Sequence, residues 1–149
     1  MLYLSLFFKK HRSTYYDLLQ RVRNEGDWES WVRFFLQGVL ETSDQAVATA
    51  RRIVEMFAAH RRTLERHGRA AGSVLRLQEA LQRRPVVTIA AAAEATSLSV
   101  PAVTQALEKM QSDRLVTEIT GRKRDKVFVY TPYVALLGEG AEPLAASPG

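Results

Sequence analysis

A proline at position 85, followed by the β-prone triplet Val86-Val87-Thr88, most narrows what this chain folds into. Before it, Val74, Leu77 and Leu81 recur at helical spacing and predict a helix. That helix stops near Pro85, because proline lacks an amide hydrogen and disfavours helix in the residue ahead of it. After the triplet, Ile89 to Ala95 predicts a small alanine-rich helix and Thr96-Ser97-Leu98 a tight turn. Ser99 is placed to cap a third helix, with Pro101 tolerated in its first turn. Val100, Val103, Leu107 and Met110 form that helix's apolar face. Leu115 to Ile119 and Val127 to Tyr130 predict two strands around a polar loop, Thr120 to Lys126. Helix, short strand, helix, turn, helix and hairpin is the order of a winged helix-turn-helix, which we place at residues 73–137.

The first half predicts helices alone. Tyr15, Leu18, Leu19 and Val22 are helically spaced, with Ser13 or Thr14 as the cap and Asn24-Glu25-Gly26 as the end. Asp27 caps the next helix, whose stripe is Trp28, Trp31, Val32, Phe35, Leu36, Val39 and Leu40. Thr42-Ser43-Asp44 is a place to break or restart it. Val47, Ala50, Val54, Phe57 and Leu64 then follow a 3-4 alternation to about His67, with Arg61 in the seam. Two readings fit that alternation: a coiled-coil pair, or a long amphipathic helix packed inside its own domain. Gly68 and Gly72 mark a linker, so the expected division is a helical part at 1–67, a linker at 68–72, the second domain, and a disordered tail at 138–149 rich in Gly, Ala and Pro.

Composition removes several function classes. There is no cysteine, so disulfide frameworks, thiolate metal sites and a cysteine nucleophile are excluded. No apolar run approaches the about 20 residues that span a bilayer. Leu2 to Phe8 is apolar, but Lys9 and Lys10 follow it, the reverse of a secretory signal. The expectation is a cytoplasmic chain without membrane contact. Net charge is +5, with 12 basic and 8 acidic residues in 1–71 against 9 and 8 in 72–149. That excess permits contact with phosphates or an acidic partner.

The loop Gly121-Arg122-Lys123-Arg124-Asp125-Lys126 concentrates the charge. Four cations on an exposed hairpin tip suit phosphate oxygens, and they equally suit a solvated turn that keeps the hairpin soluble. On the third helix Gln105 is the candidate for reading an adenine, Ser99 and Thr104 for touching phosphate, and Lys109 for facing the groove. Glu108 and Asp113 oppose DNA there, and such a helix also serves as a packing module. His11, His60 and His67 lack metal-ligand spacing, and His11 sits among Lys9, Lys10 and Arg12. No metal, cofactor or catalytic residue is assigned. Leu2, Leu4, Leu6, Phe7, Phe8, Trp28, Trp31 and Phe35 are the candidates for an exposed apolar interface.

Two stretches carry a family resemblance. Tyr3-Leu4-Ser5-Leu6-Phe7-Phe8-Lys9-Lys10-His11-Arg12, Tyr15-Tyr16 and Gly26-Asp27-Trp28-Glu29-Ser30-Trp31 through Phe34-Phe35-Leu36 resemble the segment after the catalytic motif of Fic-domain proteins. Thr120-Gly121-Arg122-Lys123-Arg124, with Val127 to Tyr130 and Tyr133, resembles the winged helix that follows the Fic domain in many bacterial members. Such proteins typically transfer AMP from ATP to a target hydroxyl through H-P-F-x-[D/E]-G-N-G-R, and this chain has no such signature. The resemblance implies a motif just upstream of Met1, in a longer protein or a truncated gene product. It therefore implies a mainly α fold, a helical bundle remnant of the Fic fold followed by a winged helix-turn-helix with a small β-hairpin wing. The function implied is a non-catalytic C-terminal module whose winged helix binds double-stranded DNA. The alternative is a protein-interaction or dimerisation module regulating a Fic catalytic domain, without DNA binding. The partners expected are duplex DNA, a second copy in a homodimer, and an upstream Fic catalytic domain.

Overall fold

A computed structural model describes residues 4–122 and 124–139. Leu2, Lys123 and nearly all of the expected tail lie outside the described residues. The chain is mainly helical with one three-stranded antiparallel sheet. It groups into two compact units, one running to Arg52 and one starting at Ile53. The stretch expected as a linker, 68–72, falls inside the second unit.

The first unit holds α1 (Leu4–Lys10), α2 (Arg12–Glu25) and the first part of α3 (Trp28–Leu64). Gly26 ends α2 in a left-handed conformation, φ 70°, donating its amide back to the Val22 carbonyl. Asp27 then caps α3, its carboxylate accepting the Ser30 amide at 3.1 Å. Ser30, first through its hydroxyl and then its amide, holds the Asp27 carboxyl below its usual range. Ser13 and Thr14 do not cap α2; the helix starts at Arg12 after His11. Nor do Thr42-Ser43-Asp44 break α3. The Thr42 hydroxyl donates to the Gly38 carbonyl at 2.7 Å and is satisfied inside the helix.

Phe7 corrects an expectation. Placed among exposed interface residues from sequence, it is buried, its ring 5.1 Å from that of Phe34. Gly38 makes this possible, because a Cβ there would stand 2.6 Å from Phe7 Cδ1. Gly38→Ala gains about 1 kcal/mol of helix propensity, but overpacking costs about 1–3 kcal/mol. We expect a net loss of stability in urea unfolding, larger for Gly38→Leu, and partly recovered when Phe7→Leu is added. Phe8 stacks on Trp31 and lies tilted against Tyr15 and Phe35, and Leu4, Phe8 and Trp31 are half-buried. Of the candidate interface residues, Trp28 (63% exposed) and Phe35 remain on the surface.

The second unit contains the end of α3, a 3₁₀ segment (Glu65–Ala70) kinked at Gly68, α4 (Ala71–Arg83), β1 (Val86–Thr88), α5 (Ile89–Thr96), α6 (Val100–Ser112), β2 (Val116–Glu118), β3 (Val127–Tyr130) and α7 (Thr131–Gly138). The sheet order is β1-β3-β2, with Val87 opposite Phe128 and Val116 opposite Tyr130. Those four side chains point inward by the strand alternation and join Leu64, Val74, Leu77, Leu81, Leu107 and Met110 in one core. The Tyr130 hydroxyl lies 2.8 Å from His60 Nδ1, and buried Gln78 donates to the Phe57 carbonyl at 3.1 Å. Among the described residues no helix is long and apolar enough to cross a membrane.

Burial pushes the His60 pKa down from 6.5. The unfolded chain then binds a proton before the folded one does, so stability is full above about pH 6.5 and falls as the pH drops toward the lowered folded value. Thermal unfolding between pH 7.5 and 5 is expected to show this decline, and His60→Gln to flatten it. Equal slopes in the two proteins would contradict the assignment.

Candidate nucleic-acid interface

Two short-range caps set the helices that frame the site. The Thr88 hydroxyl accepts the Ala91 amide at 3.2 Å and starts α5 directly from β1. Ser97, left-handed at φ 55°, ends α5. Ser99 then accepts the Ala102 amide at 3.4 Å and starts α6, with Pro101 in its first turn. At the other end of α6, His67 Nε2 donates to Asp113 Oδ2 at 2.6 Å. One of the two acids set against DNA contact is thus engaged by a histidine, while Glu108 stays exposed.

The predicted contact residues divide into groups. Gln105 and Lys109 are four apart on α6, and so share a face. Gln105 is exposed and Lys109 half-buried. Thr104 belongs to a different face. Its hydroxyl donates to the Val100 carbonyl at 2.9 Å, leaving its lone pairs as the outward function. Thr104 and Lys126 line one cleft of about 340 Å³ between α6 and the hairpin, together with Glu108, Gln111 and Glu118. Arg122 and Arg124 are exposed on the hairpin loop, and Lys123 lies outside the described residues.

Glu118 is the residue that sequence reasoning missed. One of its carboxylate oxygens accepts the Thr120 amide at 2.7 Å, the Gly121 amide at 3.0 Å and the Thr120 hydroxyl. Thr120 Oγ1 in turn accepts the Val127 amide at 3.3 Å, closing the loop across to β3. The Thr120 hydroxyl and amide, then the Gly121 amide and Lys126, hold the Glu118 carboxyl below its usual range. An ionised Glu118 thereby shapes the start of the basic loop. The sequence signal was a glutamate two residues ahead of Thr120-Gly121 at a strand end.

The arrangement brings a helix with exposed polar side chains and a basic loop to the two borders of one cleft. Two carboxylates in the cleft disfavour a phosphate inside it, so anion contact falls to the rims. Among the described residues no group of three or more His, Asp or Glu stands together as a metal site. Comparison of the sequence with protein-family models and with curated proteins gives no match.

Proposed function

We propose that the segment from α4 to α7 is a winged helix that binds duplex DNA. α6 is the recognition helix and the β2–β3 loop the wing. The observation that supports this reading is the shared cleft. Because Thr104 and Lys126 border it together, the Thr104 side of α6 and the basic loop serve one surface, and Gln105 and Lys109 follow on the adjoining side of the helix. Arg122, Lys123, Arg124 and Lys126 contact phosphates, Ser99 and Thr104 add neutral phosphate contacts, and Gln105 with Lys109 turns to the groove. The likeness to the tract after the Fic motif is retained in this proposal as the origin of the module. On it, the chain transfers no AMP by itself, and labelling of a target from ATP by this chain alone would overturn that part. The test of DNA binding compares the chain with a variant carrying all four wing cations as alanine, on mixed duplex. Binding at low salt that is lost in the variant supports the reading.

A second reading, a protein-interaction or dimerisation module, is favoured by one specific observation: Leu36, Leu40 and Val47 lie exposed along α3.

A further inference from the structure

Leu36, Leu40, Ser43, Val47, Ala50 and Val54 of α3 follow one another at alternating spacings of four and three, the period that a second helix wound along the first can match. The larger ones face solvent: Leu36 is 58% exposed, Leu40 62%, Val47 50% and Val54 66%. This seam is open over a limited length. α3 begins at Trp28, and from Phe57 to Leu64 the helix is covered by its own core. The stretch open to a partner therefore runs from Trp28 to Glu55, about 40 Å along the axis. Its midpoint lies between Glu41 and Thr42.

We propose that a second copy of the chain docks along this open stretch, antiparallel, with the two-fold axis at its midpoint. The proposal rests on the interaction reading and is independent of DNA binding. An antiparallel two-fold pair covers the whole open stretch, and none of the covered part, only if it crosses there. That crossing sets Leu36 against Val47 of the second copy, Leu40 against Ser43 and Arg33 against Ala50, and the symmetry makes each contact twice. Every layer joins a larger side chain to a smaller one, and all of these residues lie in the first compact unit. Along one border Gln37 comes beside Asp44 of the second copy. Gln37 Nε2 donates to Glu41 Oε1 at 3.0 Å and has a second N–H for that carboxylate. Along the other border Val39 meets Ala46, without charge. The competing arrangements fit worse. An antiparallel crossing at Gln45 brings Asp44 beside its own copy and sets Arg33 against the covered Phe57. A parallel pair in register sets Arg33 against Arg33 within the seam.

Sedimentation equilibrium of the full chain over micromolar concentrations is expected to show a dimer. Leu40→Asp puts a charge beside the axis and is expected to weaken that dimer by about tenfold or more. It is a surface substitution, and circular dichroism reports whether α3 stays folded. The chain has no cysteine, so introduced thiols report the register. Positions 36 and 47 are about 16 Å apart along their own helix, beyond the about 7 Å between Cα atoms that a disulfide bridges. On oxidation the double variant, Leu36→Cys with Val47→Cys, is expected to give a covalent dimer, and either single variant to stay unlinked. Single variants that cross-link as readily as the double one mean parallel pairing and overturn the proposal. A dimer that Leu40→Asp does not weaken and the double variant does not link forms by another face, which overturns this interface and leaves dimerisation standing. A monomer throughout overturns the proposal and removes homodimerisation from the interaction reading.

Discussion

Tyr130→Ala is expected to destabilise the second unit by about 3–5 kcal/mol, the range for deleting a fully buried aromatic side chain. Tyr130 has no exposed surface, and three different kinds of contact converge on it. Its ring stacks on Phe57 at 5.9 Å and meets Tyr133 at 6.0 Å. Its amide donates to the Pro85 carbonyl at 2.8 Å, tying β3 to the turn ahead of β1. Its hydroxyl is held by His60. Tyr130→Phe separates packing from polarity, because it keeps the ring and leaves His60 Nδ1 without this partner. His60 is only half-buried, and water takes over part of the lost bond, so about 1 kcal/mol is expected. A chemical-denaturation series of wild type, Tyr130→Phe and Tyr130→Ala should therefore fall in two unequal steps, the second the larger. Equal steps would mean that the hydroxyl's hydrogen bond contributes as much as the aromatic packing of the ring.

The parts of this fold that were legible in the sequence are those set by neighbours along the chain. Asp27 and Ser99 cap helices through amides three residues away, and Gly26 ends one by its own backbone freedom. The segments missed are those that distant contacts determine. α1 holds because Phe7 fits over Gly38, thirty-one residues on. The same contact explains why Phe7 was placed outside, since an aromatic residue alone does not state which side it faces. The short strand at Val86 to Thr88 was visible, but its pairing with Val127 to Val129 has no local mark. α7 did leave a signal, Pro132 in its first turn, which the apolar run around it obscured. The basic loop of the candidate site was read directly from its charges. The function of Glu118 was not, because it exists only once the turn brings the Thr120 hydroxyl and two amides to one oxygen.

DNA affinity is expected to fall about 150-fold between 50 and 200 mM salt. The figure follows from four wing cations, each releasing a counterion on contact, which gives a slope of about −3.6 in log K against log salt. Arg122→Ala and Arg124→Ala should each reduce that slope by about 0.9. Gln105→Ala should leave it unchanged and erase preference among sequences, since a bidentate contact to adenine discriminates by about 1–3 kcal/mol and carries no counterion. The two cleft acids separate the electrostatic reading from a merely sticky surface. Glu108 is exposed beside the helix face, so Glu108→Gln removes a repulsion and should tighten binding at every salt concentration. Glu118→Gln removes a negative charge as well, yet it weakens the acceptor that gathers the Thr120 and Gly121 groups and should loosen the wing. If charge alone mattered, the two substitutions would act in the same direction. Opposite effects are what a wing shaped by Glu118 requires, and salt-independent or absent binding at 50 mM would remove the wing from nucleic-acid recognition altogether.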